Sequence, residues 1–81
     1  MPHVIVKMYP GRSEDQKARL AEAIVKDVVA IAGVGDESVS VAIEDVNPGD
    51  WADKVYKPDI LNGPGKLYKK PGYNALGISR T

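Results

Sequence analysis

A chain of 81 residues with no cysteine and a single histidine has no disulfides or thiolate ligands to staple a small core, and any metal site in it must be dominated by carboxylates. Its 11 Lys+Arg balance 11 Asp+Glu, which denies it the basic stripe that a nucleic-acid binder needs. No apolar run nears the ~18 residues of a membrane span, and no basic-then-apolar leader opens the chain, so a single soluble cytoplasmic domain, stabilised by oligomerisation, is expected.

Pro2 follows Met1 directly. It is either a stiff start or, once Met1 is removed, a free secondary amine. Residues 3–9, HVIVKMY, predict a strand in which Val4, Val6 and Met8 share one face and His3, Ile5, Lys7 and Tyr9 the other. Pro10 and Gly11 end it in a turn. Ser13 then stands three residues before Gln16, a capping box, with Glu14 and Asp15 at the positive end of the helix dipole. Leu20, Ile24, Val28 and Ile31 recur at helical spacing, Ala21, Val25 and Val29 widen the stripe, and Gly33 stops it, so a helix over 14–32 is predicted. Residues 38–44, SVSVAIE, alternate Val39, Val41 and Ile43 with Ser38, Ser40, Ala42 and Glu44, a second strand. Strand, long helix, strand predicts a βαβ unit with parallel strands and a right-handed crossover, the core spanning 2–44.

Beyond it the pattern fades. Asn47, Pro48 and Gly49 suit a loop, and WADKVY reads as one or two helical turns capped by Asp50. The remaining KPDILNGPGKLYKKPGYNALGISRT holds three prolines and four glycines, which predicts extended, turning chain that clasps a partner. One helix covers one face of a two-stranded sheet, so a second copy is the natural cover for the other. The segment 45–81 is therefore expected to supply a loop, a short helix and a tail at a subunit interface. NGPGK is too short for a phosphate loop and carries a proline where a backbone donor is needed. Glu44, Asp45 and Asp50 lack metal-ligand spacing. His3 reads as a packed or hydrogen-bonded structural residue.

The motifs PHVIVKMYPGRSEDQK and SVSVAIEDVNPGDW together resemble the 4-oxalocrotonate tautomerase superfamily over about residues 2–51, and the LYKKPGY tail with Trp51 resembles its phenylpyruvate-tautomerase-like branch. The resemblance implies an α/β tautomerase/MIF-like fold built from one βαβ unit and completed by oligomerisation. It implies a cofactor-independent keto–enol tautomerase of a 2-keto acid such as an arylpyruvate. Pro2 matches the general acid/base. Arg12 matches the arginine that holds the substrate carboxylate, its planar fork being suited to bidentate binding; otherwise it is a solvated turn residue. Trp51 matches a pocket aromatic, or it packs an interface. Ser40 stands where the best-known members carry an arginine; it is a weaker hydrogen-bond donor or a plain outward strand residue. No cofactor or metal is implied. A homo-oligomer is implied, a dimer favoured over a hexamer.

The chemistry is suited to a terminal amine. A lysine titrates near ~10.4 and an α-amino group near ~7.7–8.0. An apolar pocket and a nearby Arg12 lower the latter further, toward the working pH of a general base. Two rival readings stay open: dehalogenase, hydratase or decarboxylase chemistry on a small unsaturated acid, and a non-catalytic oligomeric binding module.

Overall fold

The computed structural model describes residues 1–76. Their contacts divide into a unit from Met1 to Asp45 and a second from Val46 onward.

The first unit is the βαβ motif. Strand β1 (His3–Met8) and strand β2 (Ser40–Asp45) pair in parallel, from His3 opposite Ser40 to Met8 opposite Asp45. Helix α1 (Glu14–Ala32) connects them. Both bonds of the capping box are made: Gln16 N–H donates to Ser13 Oγ at 3.1 Å, and Ser13 N–H to Gln16 Oε1 at 2.9 Å. At the other end Gly33 takes the left-handed conformation (φ 71°, ψ 38°) and donates its N–H to the Val29 carbonyl at 3.2 Å.

Paired residues of parallel strands point to the same side. Met8, Val41 and Asp45 meet α1: Met8 shares a hollow with Lys17 and Leu20, Val41 one with Ala21 and Val25, and Asp45 binds Lys17. Val4, Val6 and Ile43 share that face, as the alternation predicts. His3, Ile5, Lys7, Ser40, Ala42 and Glu44 lie on the other face, where Ile5 is 50% exposed. No residue of this unit is fully buried. The helix, about 28 Å long at 1.5 Å per residue, also overhangs strands of about 20 Å. Ile31, assigned to the apolar stripe by its spacing, is accordingly 85% exposed.

Both strands differ slightly from the predicted spans. β1 stops at Met8 rather than Tyr9, because pairing ends at Asp45. β2 begins at Ser40 rather than Ser38, because Asp36–Ser38 form a 3₁₀ turn in which the Ser38 N–H and hydroxyl both donate to the Gly35 carbonyl.

In the second unit, Pro48–Asp50 make a 3₁₀ turn and Ala52–Leu61 a wide, π-type helix. The helical turns expected over WADKVY are present and run on to Leu61, while the expected Asp50 cap is not made. No side chain caps the wide helix; the Asp50 carboxylate instead lies 3.7 Å from Lys54 Nζ. Pro58 sits inside the helix. The helix closes where Asn62 donates both its backbone N–H (3.0 Å) and its side-chain amide (2.9 Å) to the Lys57 carbonyl, five residues back. Gly63 follows, tucked against the Asp59 carbonyl where a Cβ would collide. Val55 and Tyr56 are buried, and residues 62–76 turn and bend without further helix or strand. The end of the predicted tail, 77–81, lies outside the described residues. Among the described residues, no helix is long and apolar enough to cross a membrane.

Candidate active site

Pro2 precedes β1 and is half-buried. Its carbonyl accepts the Ser40 N–H at 3.1 Å, which ties the start of the chain to the start of β2. Ser40 is therefore beside Pro2. Its hydroxyl is engaged: Ser40 Oγ lies 2.7 Å from His3 Nδ1, and the imidazole tautomer decides which of the two donates. His3 is thus a hydrogen-bonded residue, in keeping with its sequence reading, and its partner is one of the site candidates.

Arg12 is elsewhere in the unit. Gly11, at φ 123°, makes the turn after β1 that a side chain would strain, and it delivers Arg12 to the far end of the strand. There the exposed Arg12 lines a shallow hollow of about 190 Å³ with Met8, Gln16, Lys17 and Leu20. Lys17 is fixed at its edge. Its ammonium lies 3.0 Å from Asp45 Oδ2 and 3.7 Å from Glu14 Oε2. The hydrogen bond to Asp45 chiefly holds the Lys17 pKa above its ordinary value of 10.5; desolvation opposes it, and the charges of Asp45 and Glu14 add to the rise. Between Pro2 and Arg12 runs the whole of β1, roughly 20 Å. One chain therefore does not bring the proposed base and the proposed carboxylate ligand together.

Trp51 belongs to the second unit, half-buried, in an aromatic group. Its indole N–H donates to Tyr73 Oη at 3.0 Å, and the Tyr73 and Tyr56 rings lie 5.7 Å apart at 41°. Among the described residues, no group of three or more His, Asp or Glu side chains is placed to hold a metal ion.

Two features escaped the sequence reading: the His3–Ser40 bond and the Lys17–Asp45 pair. Both join side chains that only the strand register and helix crossing bring together. The signal for the first was present but unread, since His3 and Ser40 each belong to the outward set of their strands.

The first unit is a parallel βαβ motif whose first strand begins immediately after a proline. Residues 2–55 match the family model described as tautomerase enzyme. The chain belongs to that family, within the 4-oxalocrotonate tautomerase superfamily, and is a tautomerase-type enzyme, an isomerase. It is 43% identical over 76 residues to a probable tautomerase of Xylella fastidiosa, covering 94% of this chain and 93% of the relative. It is 40% identical over 75 residues to the tautomerase PptA of Pectobacterium carotovorum, covering 91% and 99%. Among solved structures it is similar to TomN, a 4-oxalocrotonate tautomerase homologue of the tomaymycin biosynthetic pathway, at 32% identity and TM-score 0.60, over 62% of this chain and 77% of that one. It is similar also to a heterohexameric 4-oxalocrotonate tautomerase of Chloroflexus aurantiacus, at 35% identity and TM-score 0.60, over 63% and 82%.

Proposed function

We propose that this protein interconverts the enol and keto forms of a 2-keto acid, with an arylpyruvate as the substrate class and Pro2 as the general acid/base once Met1 is removed. The family match that begins at Pro2 carries this reading. The Ser40 N–H bond to the Pro2 carbonyl supports it, because it fixes the residue bearing the amine to a rigid strand pair. The neutral amine takes the enol O–H proton, and the resulting pyrrolidinium returns a proton to carbon. Nothing is consumed, and no cofactor enters.

Arg12 holds the substrate carboxylate by a bidentate fork. Because it stands a strand's length from Pro2 in its own chain, the arginine that serves a given Pro2 comes from another copy. The protein therefore works as a homo-oligomer, a dimer at least, and the Chloroflexus relative is itself a hexamer. Residues 1–81 act as one tautomerase-like domain whose segment 45–81 lies at the subunit interface, and Trp51 supplies an apolar wall for the ring. Ser40 contributes to the polar side of the site. The protein functions in the cytoplasm.

The test is ketonisation of phenylpyruvate enol, followed by ultraviolet absorbance. The processed wild type should turn it over, and Pro2→Ala should lower kcat by about 10²- to 10⁴-fold, the range for loss of a positioned acid/base. Equal rates in the two proteins would refute the assignment.

A further inference from the structure

We propose that His3, oriented by Ser40, is a second catalytic group of this site: its imidazole N–H hydrogen-bonds the oxygen on the reacting carbon while Pro2 moves the proton. The inference rests on the reading of Pro2 above and adds a residue to it.

Three observations carry it. Ser40 grips both neighbours at once, its N–H on the Pro2 carbonyl at 3.1 Å and its hydroxyl 2.7 Å from His3 Nδ1. Ser40 thereby ties down both the residue that bears the amine and the ring of the residue next to it in the chain. Next, the His3 and Ser40 side chains are exposed on the face away from α1, and Nε2 has no protein partner among the described residues, so a ligand can reach it. Last, the sheet offers little else there. On that face Lys7 and Glu44 stand opposite each other four residues further along, which leaves His3 and Ser40 as the polar side chains at the Pro2 end.

The chemistry needs such a donor. When the enol O–H proton passes to the Pro2 nitrogen, an O–H bond breaks and an N–H bond forms, leaving an enolate whose negative charge rests largely on oxygen. When the carbon takes a proton back from the pyrrolidinium, an N–H bond breaks and a C–H bond forms. A fixed donor aimed at the oxygen stabilises the intermediate and both flanking transition states; one such donor is worth about 10²- to 10³-fold in kcat. With the Ser40 hydroxyl donating to Nδ1, the ring proton resides on Nε2, and the imidazole presents an N–H outward. A donor that needs no formal charge suits a substrate with one carboxylate and an apolar remainder.

The test uses the full processed chain and its His3→Ala, His3→Gln and Ser40→Ala variants with the double alanine variant, all assayed on phenylpyruvate enol. Nitrogen NMR of the single histidine accompanies the kinetics. His3→Ala should lower kcat by about 10²-fold with a smaller change in KM. Ser40→Ala should lower it less, and the double variant no more than His3→Ala alone. His3→Gln, which keeps an N–H donor, should recover part of the loss. The wild-type ring should show the Nε2–H tautomer, and Ser40→Ala a mixture. If His3→Ala does not fold, His3→Gln and the tautomer decide. Unchanged kcat in the His3 variants of an enzyme that Pro2→Ala disables would overturn the inference alone, as would independent, multiplicative effects of His3 and Ser40 or an Nδ1–H tautomer. A wild type without turnover would remove the Pro2 reading and this one together, before any variant is made.

Discussion

Lys17 reaches from the first turn of α1 to Asp45 at the end of β2, and the 3.0 Å contact holds its ammonium above the ordinary lysine range. A group whose folded pKa is raised stabilises the fold fully below its unfolded value of about 10.5 and ceases to do so as pH rises through the folded value. Lys17→Met should therefore lower the urea midpoint at neutral pH, and the gap to wild type should close as pH rises through the raised folded value. A gap that stays constant across that range would contradict the assignment. Side-chain partnerships of this kind are the part of the site least legible in sequence. Pro2, Arg12, Ser40 and Trp51 could be nominated because motif positions carry them. The bond between His3 and Ser40 was only half legible, because alternation gives the face of each strand and leaves open which residue stands opposite which. The separation of Pro2 from Arg12, by contrast, follows from the predicted strand itself, since both flank it and its length sets how far apart they are.

At the scale of elements, local signals were enough for α1 and failed for the wide helix. The capping box and the left-handed glycine act within a few residues, so the helix runs over the predicted 14–32. Their energetic roles are separable. Ser13→Ala removes the acceptor for the Gln16 N–H and should cost about 1 kcal/mol. Gly33→Ala meets no atom within 4 Å, so its cost is conformational alone, about 1 kcal/mol at φ 71°. The two ends lie about 28 Å apart, and in the double variant the losses should add to within about 0.5 kcal/mol. Equilibrium denaturation measures all three; a neutral Gly33→Ala would show that the left-handed conformation is not required. The strand that the alternation started at Ser38 starts at Ser40 because hydroxyl and backbone of Ser38 bind Gly35 instead. The helix at Ala52–Leu61 was unread past its first turns because Pro58 counts as a breaker where the interior N–H is bonded four residues back.

At the scale of the molecule, Ile5 is half exposed on the face of the two-stranded sheet away from α1. A fold completed by further copies should melt at a temperature that rises with protein concentration. Light scattering should return a multiple of the 8.7 kDa chain mass. A monomeric mass with a melting temperature independent of concentration would contradict assembly and leave each Pro2 without an arginine. The function itself turns on whether the chain presents a reactive amine at Pro2. The most direct measurement is the intact mass of Met1-free protein after brief exposure to 3-bromopyruvate, with peptide mapping of the product. This reagent joins a carboxylate for Arg12 to an electrophilic carbon for an uncharged amine. One adduct per chain, located on Pro2, is the predicted result. A Met1-free chain that takes no adduct at Pro2 would contradict the acid/base role and favour a tautomerase fold used for binding.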